Sequence, residues 1–328
     1  MAARTTPRSD GSGAERVVRI GTRASPLAVA QARWVKAALE ACWPGVRPEL
    51  VTIVTSGDRL PGSLAHRGGK GLFIKEIEEA LLAERVDCAV HSMKDLPTII
   101  APGLVVSAVP ERADARDVLV GPPECRDIAD LPFGARVGTA SLRRRAQLLA
   151  TRPDLSVVEL RGNVDTRLRK QAEGAYDGVV LAAAGLLRLG RAVAVGTCLD
   201  PARFVPAVGQ GALALEAREG DDQMRRLLAV LNDAATERAV SAERAFLRIL
   251  GGDCATPIAA HAVVSGNDLR LAGLVATADG TTVLRGTVRG PSGAGEQLGG
   301  ALAAELRAKG AEDVLARLRV ERHGAGTE

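Results

Sequence analysis

Three observations predict an α/β protein. The 328 residues are 46% hydrophobic yet only 2% aromatic, so the core is aliphatic, as in buried parallel strands that read as runs of Val, Ile and Leu. A β-α-β rhythm fills the first hundred residues and restarts near residue 135. After Gly251-Gly252 the pattern changes to alternation with hairpin signals, which predicts a small α+β unit at the end. The length suits two or three domains of roughly 100–200 residues each.

Val17 to Thr22 reads as the first strand. Ser25-Pro26 then opens a helix, because serine is a good N-cap and proline at the first helical position loses no needed hydrogen bond. The helix runs to about Cys42, where Pro44-Gly45 ends it. Leu50 to Thr55 is a strand, 57–71 a Gly-rich loop, Leu72 to Arg85 a helix by apolar spacing, and Asp87 to His91 a short strand. The polar stretch Pro110 to Arg116 reads as a crossover. Strands are then predicted at Ala135–Thr139, Ser156–Arg161 and Gly178–Ala183. Helices lie between them at Leu142–Leu149, capped by Ser141, and Val164–Glu173, and a short helix follows the last strand. Pro206 to Glu216 returns to a strand, and helices follow at Asp222–Leu231 and Ala235–Leu250. Strands His261–Val264, Leu269–Thr277 and Thr282–Val288 carry turn signals at Asn267-Asp268 and Asp279-Gly280. One last helix is predicted over Ala294–Leu318.

The net charge of +4 is mild and both signs are spread along the chain, which does not announce a nucleic-acid protein. Cys42, Cys88, Cys125, Cys198 and Cys254 form no C-x-x-C pair, so neither a disulfide framework nor a zinc site is indicated, and the four histidines show no metal spacing. No apolar run approaches the ~20 residues needed to span a membrane. Residues 1–15 are small and polar, read as a disordered tail, and lack a secretory signal. The expected compartment is the cytoplasm.

Arginines gather where strands hand over to helices: Arg23, Arg143, Arg144, Arg161, Arg167 and Arg188. In open α/β sheets ligands bind at the carboxyl ends of strands, helix N-termini there favour anions, and arginine holds a carboxylate bidentately. Three arginines, Arg143 to Arg145, stand in one first helical turn against the helix dipole, a cost that an anion would offset. A solvated basic face explains any one pair; the joint placement favours an anion site. Lys94-Asp95 follows a strand, and Pro97 stiffens the exit. By spacing alone this is an exposed ion pair, although a strand-end acid among cations is also suited to charge stabilisation. Cys254 lies in the loop Gly251-Gly252-Asp253-Cys254. It is an attachment point if its thiolate is accessible, and an unremarkable thiol otherwise. Gly68-Gly69-Lys70-Gly71 is not a nucleotide P-loop, since Leu72 stands where Ser or Thr is required; it reads as a lid.

Seven runs together resemble the hydroxymethylbilane synthase (porphobilinogen deaminase) family over Val17 to Leu318: GTRASPLA at 21–28, GGKGLFIKE at 68–76, AVHSMKDLP at 89–97, VGTASLRRRAQL at 137–148, LRGNVDTRL at 160–168, AAAGLLRLG at 182–190 and PAVGQGALALE at 206–216. The resemblance implies two type II periplasmic-binding-protein-like lobes with mainly parallel sheets and a small α+β domain. The implied boundaries are 16–110 with 211–230, then 116–205, then 234–320. It implies an enzyme that joins four porphobilinogen molecules on a dipyrromethane held as a thioether on Cys254, then releases linear hydroxymethylbilane. It assigns catalysis to Asp95 with Lys94. Cofactor contacts fall to Ser141, Arg143, Arg144, Lys94, Arg167 and Arg188. Substrate contacts fall to Arg23, Ser25, Arg161, Arg167, Lys70 and Phe73. A monomer, with no metal, nucleic-acid or membrane partner, is implied as well. Asp253, Arg145 and His66 depart from the family's pattern, and none removes a catalytic group.

Two rivals stand beside this reading. An anion receptor on the same lobes would need neither Cys254 nor a third domain, and would usually carry a secretion signal. A nucleic-acid binder would need aromatics for stacking, which the composition lacks.

Overall fold

The computed structural model describes residues 16–56, 74–191, 196–253 and 256–324. They form two five-stranded sheets and one three-stranded sheet. The first begins with β1 (Arg16–Arg23), followed by α1 (Pro26–Cys42) and β2 (Val46–Ile53). Helix α1 forms for the reasons predicted. Ser25 Oγ accepts from the Ala28 amide at 3.3 Å, Pro26 occupies the first turn, and Gln31, Ala32, Val35 and Leu39 face the core at helical spacing. Strand β2 begins four residues earlier than predicted. Its edge position tolerates Pro48. Helix α2 (Lys75–Leu82), β3 (Cys88–Ser92) and β4 (Leu104–Ala108) follow.

The second sheet contains β5 (Asp117–Val120), β6 (Arg136–Gly138), β7 (Ser156–Val158), β8 (Gly178–Ala182) and β9 (Thr197–Cys198). Its helices are α3 (Leu142–Thr151), α4 (Val164–Ala172) and α5 (Ala183–Arg188). The chain then returns to the first sheet as β10 (Leu213–Arg218), followed by α6 (Asp222–Ala229).

The strand orders are β2-β1-β3-β10-β4 and β7-β6-β8-β5-β9. In each sheet four strands share a direction and one is reversed, β10 in the first and β5 in the second. This is the arrangement of two type II periplasmic-binding-protein lobes. Each reversed strand enters its sheet directly after the chain has crossed between the two. The crossings touch: the Ala113 amide donates to Gly211 O at 3.2 Å, and Gln210 Nε2 donates to Ala115 O at 2.7 Å. Gly211 has φ +89°, and a Cβ there would lie 2.4 Å from Ala113 O, so the crossing requires glycine. Strands β4, β5 and β9 have no counterpart in the sequence reading. They are short, and β5 opens on a charged residue, Asp117, which breaks the apolar run.

The last sheet is an antiparallel meander of β11 (Ile258–Ser265), β12 (Asp268–Ala276) and β13 (Val283–Pro291). Helices α7 (Ala234–Ile249) and α8 (Gly295–Ala308) pack on it through Phe246, Leu302 and Leu306. Two expectations need correction. The first hairpin turn is Gly266-Asn267 rather than Asn267-Asp268. Asp268 pairs with Ser265, and the positive φ that a two-residue loop requires falls on Gly266. The single predicted final helix is two, α8 and α9 (Ala311–Gly324), because Gly310 at φ +96° ends the first in a left-handed turn. No helix among the described residues is long and apolar enough to cross a membrane.

Candidate active site

Parallel pairing of β1 and β3 brings their carboxyl ends side by side. One end delivers Arg23 and the α1 cap Ser25. The other delivers Ser92 and a 3₁₀ turn, Met93–Asp95. Together with Leu27, Ala28, Gln31, Ile74, Val90 and His91, the residues Arg23, Ser25, Ser92 and Asp95 line one small cavity. The structure thus brings Arg23, Ser25 and Asp95 together. It adds Gln31, whose Nε2 donates to Ser92 Oγ at 2.8 Å, and His91, whose Nε2 lies 3.0 Å from Glu216 Oε2 on β10. Neither Gln31 nor Glu216 has a local signal. One is a polar residue on the inward face of a helix, the other an acid in an apolar strand.

The second sheet presents cations to the same region. Ser141 caps α3 as expected, accepting from the Arg144 amide at 3.4 Å. Arg143 and Arg144 are buried, and their anion lies within the protein. Arg143 Nη1 donates to Asp117 Oδ2 at 2.7 Å, and Arg144 Nη2 donates to Asp117 Oδ1 at 2.7 Å. Arg143 also donates to Val205 O at 2.8 Å and Arg144 to Val180 O at 2.8 Å. Part of the dipole cost predicted for this helix is therefore met by Asp117, with no ligand needed. Arg145 turns away to Val157 O. Burial alone would raise the Asp117 carboxyl, but Arg143 and Arg144 outweigh it and hold it well below the usual carboxylate range.

Arg161 pairs with Glu159. Arg167 Nε donates to Gly162 O at 2.8 Å, and Arg188 Nη2 donates to Gly211 O at 2.7 Å. Burial lowers both Arg167 and Arg188 to about 10, with Arg144 and Arg161 also repelling Arg167. Lys94 feels the same field. Burial lowers its ammonium to about 8; Asp95 opposes that shift, while Arg144 and Arg143 add to it. Lys94, Arg143, Arg144, Arg161 and Arg167 therefore form one cationic cluster, although they come from two different sheets. Lys70, Phe73, His66 and Cys254 lie outside the described residues. Among the described residues no His, Cys, Asp and Glu group could hold a metal ion.

Residues 18–226 match the family described as "Porphobilinogen deaminase, dipyromethane cofactor binding domain", and residues 238–308 match the C-terminal domain of porphobilinogen deaminase. The chain belongs to the porphobilinogen deaminase family. Among curated relatives, the porphobilinogen deaminase of Syntrophotalea carbinolica is 53% identical over 304 residues, covering 92% of this chain and 96% of that one. That of Syntrophobacter fumaroxidans is 51% identical, covering 92% and 97%, and that of Deinococcus radiodurans is 47% identical, covering 93% and 99%. Membership of the porphobilinogen deaminase family carries its activity. This is a transferase of tetrapyrrole synthesis, a hydroxymethylbilane synthase, with porphobilinogen as substrate and dipyrromethane as cofactor.

The donors of the cleft suit a group bearing carboxylates. Arg143 Nε is buried without a hydrogen-bond partner. Arg167 and Arg188 spend their guanidiniums on carbonyl oxygens, and neither has an acidic side chain within salt-bridge range among the described residues.

Proposed function

We propose that this family activity is carried out in the cleft between the Asp95 cavity and the arginine cluster, with Cys254 as the thioether anchor of the dipyrromethane. The observation that carries the reading is the convergence of Arg23, Ser25 and Asp95 on one cavity, with Lys94 facing the second sheet's arginines. The cofactor, when bound, supplies the free α-carbon that the incoming pyrrole joins. Arg23 and Ser25, with Arg161 and Arg167, hold the acetate and propionate of porphobilinogen. Lys70 and Phe73 add to this contact. Arg143, Arg144, Arg167, Arg188, Lys94 and Ser141 offset the charge of the cofactor's own carboxylates. Loss of ammonia from porphobilinogen leaves a cationic azafulvene-type electrophile. Asp95 stabilises that positive charge at the pyrrole nitrogen and moves the proton released when the rings join. Each added ring brings two more carboxylates into the cleft, so the lobes shift relative to one another to pass the chain along.

Residues 16–110 with 211–230, then 116–205, then 234–320, are the three domains of this reading, and the protein acts as a cytoplasmic monomer without nucleic-acid or membrane partners. The experiment is the intact mass of the denatured protein beside Cys254→Ser. The expected excess equals two porphobilinogens less two ammonias, present in the first and absent from the second. An unmodified mass that does not rise on adding porphobilinogen would defeat the proposal.

A second expectation concerns pH. Lys94 is cationic below about 8 and neutral above it, so its attraction for a carboxylate is lost as pH rises through that value. kcat/KM for porphobilinogen, which reports the free enzyme, is expected to fall across that range. Lys94→Gln is expected to have a lower kcat/KM and to lack this alkaline limb. A limb that survives unchanged in the variant would assign it to another group.

A further inference from the structure

We infer that Arg244, on the helix that leads to Cys254, is a positioning residue for Asp95; this rests on Asp95 being the catalytic acid. Arg244 sits in α7, and its fork reaches across to the first sheet. Nη1 donates to Leu96 O at 3.1 Å, and Nη2 donates to Pro97 O at 2.6 Å. These are the two carbonyls directly after Asp95. Nη1 also lies 3.7 Å from Met93 Sδ, on the other side of the same turn. One planar group thus grips the Met93–Asp95 turn at both ends. A lysine has the charge but not the fork needed to hold two successive carbonyls.

The neighbouring residue, Glu243, fixes the helix that carries this grip. Its carboxylate is fully buried and accepts from the Gly209 amide at 2.7 Å, the Ala262 amide at 2.7 Å and both terminal nitrogens of Arg112 at 2.6 and 3.2 Å. Gly209 closes the box. A Cβ there would lie 2.6 Å from Met93 Cγ and 3.3 Å from the Lys94 amide, so its backbone is pressed against the same turn. Glu243 and Arg244 together therefore hold the catalytic turn from two sides. The helix that bears them ends at Ile249, five residues before Cys254.

Among the described residues Arg244 has no acidic side chain within salt-bridge range. A half-buried cation spent on two carbonyls is a costly way to join two domains, and a simple bolt would not need it.

The test is a double-mutant cycle between Arg244→Lys and Asp95→Glu in the cofactor-loaded enzyme, with Arg244→Gln alongside. Misplacing a reacting group by about 1 Å costs on the order of 10²-fold, so Arg244→Lys is expected to lower kcat by roughly 10- to 100-fold. KM, thermal midpoint and cofactor mass should stay near those of the parent, and Arg244→Gln should also lower kcat. In the Asp95→Glu background the same change should cost little more, because the acid is already displaced. Equal penalties in both backgrounds would overturn the inference. So would an unchanged kcat, or a failure of both Arg244 variants to fold or to load cofactor, which would assign Arg244 to assembly. Full activity in Asp95→Glu would instead remove the role of Asp95, and the inference with it.

Discussion

Asp95→Asn is expected to lower kcat by about 10²–10⁴-fold, the range typical of a positioned acid–base group, with a much smaller change in KM. The substitution keeps the shape, exchanges one accepting oxygen for an amide donor, and removes the negative charge and the proton-carrying group. Asp95 stands at the end of β3 on the lining of the cavity it shares with Arg23 and Ser25, and its side chain has no hydrogen-bond or salt-bridge role in the fold among the described residues. The thermal midpoint should therefore stay close to the parent value. The binding cations are untouched, so porphobilinogen should still enter. What is lost is the countercharge to the electrophile left when ammonia departs. Steady-state kinetics, with intact-mass analysis to show that the cofactor is loaded, decides the matter. An active Asp95→Asn enzyme would place the chemistry elsewhere in the cleft.

The second large effect falls on Asp117, and it concerns stability before activity. Asp117 is fully buried and accepts from Arg143, Arg144 and Gln210, the last at 3.0 Å. Removing one partner of a buried ionic cluster leaves unpaired charge in a place that water does not reach, at a cost of about 3–5 kcal/mol. Asp117→Asn is expected to lose stability of that order, read from urea unfolding at neutral pH. A loss below ~1 kcal/mol would mean that the two guanidiniums find other acceptors. The same group predicts a pH dependence. Its folded pKa lies below the unfolded value of about 3.9, so its contribution is complete above that value and is lost as pH falls through the folded pKa. Acid unfolding of the parent should show this loss, and Asp117→Asn should lack it. Activity should fall as well, because Arg143 and Arg144 lose the group that aims them.

Local physics was legible in the sequence. Ser25-Pro26 and Ser141 announce helix starts because a capping hydroxyl and a proline act within one turn. The strand-end arginines stood out because strand termini in α/β sheets are where ligands bind, whereas Lys94-Asp95 read by spacing as an exposed ion pair and took a site role only from the family resemblance. The final helix was misjudged because a lone glycine inside an apolar pattern does not show whether its φ is positive; Gly310's is.

The sequence by itself determined the fold class, the two β-α rhythms, the runs that mark the family and a set of strand-end arginines suited to an anionic ligand. Only the tertiary structure decided which charges answer one another. Asp117 meets Arg143 across 26 residues, Glu216 meets His91 across 125, and Glu243 meets Arg112 across 131. Capping and periodicity act over a few residues of contiguous chain, so they leave a sequence signature. A buried ion pair is set by which strands lie side by side, and β5 and β10 reach their places only after the chain has crossed between sheets.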